Sequence, residues 1–276
     1  MTTMAVKIND FTITEWLDFE AYFRDTGMLD FKLEDMQNFT LNATQDKTAL
    51  TGKNGRIIGY KKQNKGVTGE GTYGMVSAGL MKAQTGGEIT SSDSLTIKKS
   101  ELKTVSGATV TTDATATGTA GKEIGYIKVL AANGAVAATY EQATTADATH
   151  FSYNPTNKTI TLPVDTDPVI ANGSNIVYAY ERTVSGTKVT DPSDTFSETR
   201  EVWIHCFGKD ACDNEFYIAI YIPRADFSGE FSLELGGDQV VHNFSFDGMT
   251  DLCNPAQGNN LFELIVYTGD EGTTNP

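Results

Sequence analysis

Between Glu230 and Asp247 apolar and polar residues alternate with a period of two, and this pattern limits the possible folds more than any other feature. Val240, His242, Phe244 and Phe246 fall on one side, opposite Asn243, Ser245 and Asp247. A strand turns successive side chains to opposite faces, so such a segment has one core face and one polar face. The preceding stretch reads the same way, with Phe231, Leu233 and Leu235 opposite Glu230, Ser232 and Glu234. Gly236-Gly237-Asp238 joins the two as a hairpin turn. Residues 201–207, 215–222 and 261–267 add further strands, and 268–276 form a polar tail expected to fray. Composition agrees, because 38 threonines and 26 glycines suit pleated surfaces and turns. A mainly β chain is expected.

Upstream the signals are mixed. Residues 12–26 open with Thr12 and Glu15 in capping-box spacing and stop before Gly27. Their apolar residues fit neither period cleanly, and a short helix is expected there. Residues 31–42 alternate and predict a strand. Asn54-Gly55 lies between apolar runs and predicts a hairpin tip carrying Lys53 and Arg56, since both central turn residues need positive φ. Residues 72–85 predict a second helix, with Met75, Val76, Leu80 and Ala83 on one stripe and Gly86-Gly87 at its end.

From about residue 88 to 200 aromatic residues thin out and turn signals recur every eight to twelve positions. Strands are expected at 124–130, 159–164 and 175–181, with Asn133-Gly134 and Asn157-Lys158 as turns. This spacing predicts a small β-sandwich at 90–195, inserted into a domain made of 1–89 and 196–276. The Thr/Ala-rich stretch 104–120 is open to a second reading, as a linker without structure.

Charge narrows the function classes. Lys and Arg number 21 against 36 Asp and Glu, for a formal charge of −15, which disfavours a protein that wraps duplex DNA by neutralising phosphates. The excess lies in residues 104–276, whereas 47–69 hold Lys47, Lys53, Arg56, Lys61, Lys62 and Lys65 with no acid among them. Basic segment and acidic end could meet on neighbouring copies, or could simply be two solvated faces. No run of 18 apolar residues suggests a membrane span, and the first residues do not read as a secretory signal. Three cysteines, an odd number, read as thiols in a reducing compartment.

Catalytic motifs are not apparent. Gly69-Glu-Gly-Thr-Tyr-Gly has the glycine spacing of a dinucleotide fingerprint, but no Val/Ile-rich strand precedes it, and turn-forming glycine is the better reading. His205, Cys206 and Cys212 lack the paired spacing of a zinc site, so the thiols are expected to be buried small hydrophobes. His150 and His242 are isolated, the latter on an apolar face as a satisfied core group. Glu230, Glu234 and Asp238 form a row along a strand, which suits an acidic surface better than a facing acid/base pair. No catalytic, cofactor-binding or metal residue is assigned, and no cofactor is expected.

Residues 220–249, from Ile220-Tyr-Ile-Pro-Arg to Phe246-Asp-Gly-Met, resemble the C-terminal part of major tail tube proteins of long-tailed bacteriophages. Leu50-Thr-Gly-Lys-Asn-Gly-Arg and Gly71-Thr-Tyr-Gly-Met-Val-Ser-Ala-Gly-Leu-Met are similar to their N-terminal part. The resemblance covers about 30–90 and 200–268, and the intervening module resembles insertions some of these proteins carry. It implies a β-sandwich/barrel tail tube domain with a long hairpin and one or two short helices, plus an inserted Ig-like β-sandwich module. It also implies stacked, hexameric rings around an acidic lumen that conducts DNA during ejection without binding it specifically.

On that reading Glu230, Ser232, Glu234, Asn243, Ser245 and Asp247 face the lumen. Lys53, Arg56, Lys61, Lys62 and Lys65 form a basic loop at a contact between subunits, and 12–26 is an arm that orders on assembly. The partners are further copies of the chain and other tail proteins, with no membrane. The protein is placed in the virion tail and made in the host cytoplasm. Two other classes remain open: a β-sandwich adhesin or decoration protein that binds a surface ligand, and a carbohydrate-active enzyme with two carboxylates facing across a cleft.

Overall fold

The structure, a computed structural model, describes residues 10–166, 169–232, 241–251 and 259–268. In chain order the first elements are β1 (Phe11–Phe23), β2 (Leu29–Leu33), β3 (Met36–Thr51), β4 (Ile57–Tyr73), α1 (Ala78–Thr85) and β5 (Glu88–Thr104). Short strands follow: β6 (Thr109–Thr111), β7 (Tyr126–Leu130), β8 (Val136–Gln142), β9 (His150–Asn154) and β10 (Thr159–Thr161). The chain ends with β11 (Asn175–Thr190), β12 (Arg200–Asp210), β13 (Glu215–Phe227), β14 (His242–Gly248) and β15 (Glu263–Tyr267). The chain divides into two compact units, residues 1–89 with 189–276, and residues 90–188. The architecture is mainly β, with two curled sheets.

In the first unit the strands follow the order β2-β1-β12-β13-β14-β4-β3, and β15 also pairs with β13. The pairings resolved between these strands are antiparallel. Its core is built on phenylalanine: Phe19 meets Phe244 edge-on at 5.2 Å, and Phe39 stacks on Phe246 at 6.1 Å. Phe31 and Phe227 join them, at 5.8 Å from each other. Each such pair adds about 0.5–1.5 kcal/mol beyond the area it buries.

The expected helix at 12–26 is the strand β1, paired with β12 from Phe11 to Phe23. Its two register shifts, between Ile13 and Glu15 and between Trp16 and Asp18, reset the alternation twice. A bulge adds one residue and so moves every later side chain to the other face, which is why neither period matched. Phe19 and Ala21 are fully buried, so this segment is a core strand and not an arm. The expected strand 31–42 is two strands, broken at Glu34 and Asp35.

The predicted helix 72–85 begins only at Ala78. Thr72 and Tyr73 complete β4, and Met75 and Val76 are about half exposed, outside the helix. The Leu80 N–H donates to the Ser77 hydroxyl as an N-cap, and Gly86 closes the helix at φ 76°. The first strand of the expected 229–246 hairpin also differs. β13 runs on to Phe227 and pairs directly with β14, while Gly229–Ser232 lie outside any strand. Leu233, Glu234, Leu235 and the Gly236–Asp238 turn lie outside the described residues.

The second unit has the strand order β5-β11-β7-β8-β9-β10-β6, with β8 and β9 parallel. Only four residues separate β5 from β6, yet the two stand at opposite ends of this path, so the sheet curls round on itself. Ile124, Ile127, Phe151, Ile160, Ile176 and Tyr178 fill its centre. Val105, Val110 and Ala116 are buried there too, so the 104–120 stretch is part of the packed unit.

Candidate functional site

The polar face of β14 continues across its neighbours. Asp226 on β13 stands opposite Asp247, Asp247 opposite Thr68 on β4, and Thr68 opposite Asn42 on β3. The next row runs Ser245, Glu70, Thr40, and the third Asn243, Thr72, Asn38. Residues opposite one another in an antiparallel ladder share a face. These rows carry Asp226, Asp247 and Glu70 and no base. Asp226 and Asp247 are directly opposite, an unfavourable like-charge pair that the sheet tolerates at an exposed position.

Within the face, hydroxyls and amides satisfy each other. The Thr72 hydroxyl donates to Asn243 Oδ1 at 3.0 Å, and the Ser245 hydroxyl to Ser228 Oγ at 3.0 Å. Asn243 and Ser245 are half-buried, whereas Asp247, Glu230 and Ser232 are exposed. Glu230 and Ser232 follow β13 as loop residues, and Glu234 lies outside the described residues. A cleft of about 420 Å³ beside Asp226 and Asp247 adds Asp191 to the carboxylates.

The sequence reading missed the β3 and β4 share of this face. Asn38, Thr40 and Asn42 alternate with Phe39 and Leu41, a visible signal. On β4 the signal is hidden, because the inward positions 69 and 71 are glycines. A Cβ at Gly69 would lie 2.2 Å from Phe246 Cζ, and one at Gly71 2.6 Å from Phe244 Cζ. Gly69 and Gly71 therefore make room for phenylalanine rings within β4 and do not form a turn, whereas Gly74 lies in the bend that follows the strand.

His242 sits under the polar face and is completely buried. Its Nδ1 accepts from the Ser77 backbone N–H at 3.4 Å, so Nε2 carries the proton and donates to Gln84 Oε1 at 2.7 Å. Gln84 Nε2 in turn donates to the carbonyls of Glu230 and Asn243, both at 3.1 Å. Burial pushes the His242 pKa below its ordinary value. This network ties α1 to β14 and to the loop that carries Glu230.

The basic residues lie along the β3–β4 hairpin, whose outer part is exposed on both sides. Asn54 and Gly55 have φ of 65° and 73° at its tip, as the dipeptide predicted, within the short 3-10 turn Lys53–Gly55. Lys47 and Lys62 are directly opposite, and Lys65 is opposite Gln45. Asn64, at φ 52°, makes the bulge between them and donates to Asp46 Oδ2 at 3.0 Å. Lys53, Arg56, Lys61, Lys62 and Lys65 are all exposed, interleaved with exposed Leu50, Ile57, Ile58 and Tyr60.

Other titratable groups serve the fold. Lys32 bridges Asp18 at 2.9 Å and Glu20 at 3.3 Å, with His205 Nε2 3.8 Å from Glu20. Burial works to raise the Glu20 pKa, but hydrogen bonds from Tyr22 and Lys32 outweigh it and leave it lowered. Cys206 is buried, its thiol pushed up to about 12 by burial and by Asp18, whereas Cys212 is exposed in the turn after β12 and is not the core thiol expected. Among the described residues no group of three or more His, Cys, Asp or Glu is placed to hold a metal ion. No helix among them is long and apolar enough to cross a membrane.

An antiparallel sheet, polar rows that carry Asp226, Asp247 and Glu70, and an exposed basic hairpin are features of an assembling subunit. The family model of the YomU/Tube protein family matches residues 11–261. The chain belongs to this phage tail tube family. The matched range spans both compact units. Comparison with curated proteins gives no match. As a tail tube family member the protein is a structural component of the phage tail.

Proposed function

We propose that this chain is the major tail tube subunit of a long-tailed phage, stacking as hexameric rings whose lumen conducts DNA during ejection. The observation that carries this reading is the polar face over β13, β14, β4 and β3, whose three paired rows hold Asp226, Asp247 and Glu70. DNA phosphates are repelled by such a wall, so a duplex slides along it without being held. Asn243, Ser245 and Asp247 belong to this wall, and the exposed loop residues Glu230 and Ser232 continue it. The basic hairpin residues Lys53, Arg56, Lys61, Lys62 and Lys65 contact acids of a neighbouring copy, offsetting part of the repulsion between rings of like charge.

The first unit is the tube domain and the second an inserted Ig-like module. The role is structural, with no catalysis and no cofactor. The partners are copies of the chain and other tail proteins, and synthesis takes place in the host cytoplasm.

Negative-stain electron microscopy of the concentrated chain tests this directly. Rings or tubes with a central pore are expected. Tubes of the Asp226→Lys, Asp247→Lys variant should retain duplex DNA at about 0.1 M salt, whereas wild-type tubes should not. A chain that stays monomeric at every concentration, or a variant whose DNA retention matches wild type, would overturn the reading.

A further inference from the structure

Three Asn-Gly pairs stand exposed outside the strands: Asn54-Gly55, Asn133-Gly134 and Asn172-Gly173. Such a pair is chemically weak, because glycine has no side chain to keep its backbone nitrogen away from the preceding carboxamide. Space does not separate the three, since a Cβ at Gly55, Gly134 or Gly173 would meet no atom within 4 Å. The carboxamides do separate them. Asn133 Oδ1 accepts the Ala135 N–H at 3.0 Å, and Asn172 Oδ1 accepts the Gly107 N–H at 2.7 Å. Among the described residues no hydrogen bond holds the Asn54 carboxamide, which is free to turn toward Gly55. The Gly55 N–H is also the most loosely held of the three. It lies 3.1 Å from the Gly52 carbonyl, against 2.9 Å for Gly134 on Ala131 and for Gly173 on Val105. Charge acts in the same direction. Lys53 and Arg56 flank Asn54-Gly55, and nearby cations favour the deprotonated nitrogen that attacks. Only alanine and serine flank the other two pairs.

We propose that Asn54 is a site of spontaneous deamidation, with water as the only co-reactant. The Gly55 nitrogen gives up its proton and bonds to Asn54 Cγ. The bond from Cγ to Nδ2 breaks, and the amide leaves as ammonia, carrying that proton. The succinimide ring so formed joins residues 54 and 55, and water then opens it at either carbonyl. One opening leaves an ordinary aspartate. The other leaves an isoaspartate, whose backbone runs through Cβ and Cγ and is longer by a single atom. Both products place a carboxylate between Lys53 and Arg56, so the tip becomes less basic as the chain ages. The longer backbone also alters a turn in which Asn54 holds φ 65° and the Gly52 N–H meets the Arg56 carbonyl at 2.7 Å. The chemistry follows from this turn alone and is independent of the tube reading.

Timed incubation of the full, unassembled chain at mildly alkaline pH tests the site. Peptide mapping by mass spectrometry follows the change from amide to acid at each Asn-Gly pair, and methyl transfer by a protein isoaspartate methyltransferase gives a second readout. Asn54 should convert about tenfold faster than Asn133 or Asn172, each of which must first break the hydrogen bond on its carboxamide. In concentrated urea, where no turn remains, that gap should shrink to the effect of the flanking charges. Lys53→Gln with Arg56→Gln should slow Asn54 in the folded chain and leave Asn133 and Asn172 unchanged. The proposal is overturned if Asn54 in the folded chain converts no faster than the other two, or if the gap is as wide in urea as in the folded chain.

Discussion

Gly69 and Gly71 lie beneath the rings of Phe246 and Phe244, where any side chain would strike the core. Those rings are packed against Phe19, Phe39 and Phe227 and cannot swing away. Gly69→Ala should therefore destabilise the first unit by about 1–3 kcal/mol in a urea titration, the usual cost of overpacking. His242 gives a second residue-scale prediction, this time in pH. Burial lowers its folded pKa below the 6.5 of a free imidazole. Below that pH the unfolded chain takes up a proton that the folded one resists, so stability is complete above about 6.5 and falls as pH falls. Urea midpoints at about pH 5 and about pH 7.5 should differ less in His242→Gln than in wild type, although the variant is weaker at both. Equal differences would remove His242 from the acid sensitivity. The sequence reading recognised His242 as a satisfied core group, because its place in the alternation is local information. It could not supply Gln84 and Ser77 as partners, which lie more than 150 residues away.

At the scale of elements, the hairpin of β3 and β4 was legible at its tip and not at its base. Asn54-Gly55 forces a turn wherever it stands, since both residues must adopt positive φ. The length of the arms was not legible, because an exposed two-stranded ribbon has no core face and hence no hydrophobic alternation to read. The bulges of β1 had a similar effect in a buried strand, by shifting the phase of a real pattern. Chymotrypsin should distinguish the two elements, since both carry its sites. In unassembled protein it should cut first around Leu50–Tyr60, where the hairpin is exposed on both faces, and leave the Trp16, Phe19 and Tyr22 sites of β1 intact. Early cleavage at Phe19 instead would contradict the pairing of β1 with β12.

Across the whole molecule the charge separation has a measurable consequence. The hairpin from 47 to 65 is basic within a chain of formal charge −15. If contacts between copies pair that hairpin with acids, added salt screens the attraction between them along with the repulsion between like-charged subunits. The Lys61→Glu, Lys62→Glu variant should assemble less well than wild type at about 0.05 M salt, and the two should converge at about 0.5 M. An unchanged gap at high salt would mean that these lysines act through packing and not through charge.

Sequence alone determined that the protein is mainly β, which side of β14 is polar, where the hairpin turns and where the acids outnumber the bases. Each of these is decided by neighbouring residues: side chains alternate along any strand, two turn residues set their own φ, and charge adds up along the chain. Tertiary structure decided which strands lie next to which, that β13 continues past Pro223 to meet β14, and that the polar face spreads over four strands. It also decided that glycines on β4 answer phenylalanines on β14. These features depend on contacts between residues far apart in the chain, and no periodicity within a single segment encodes its partner.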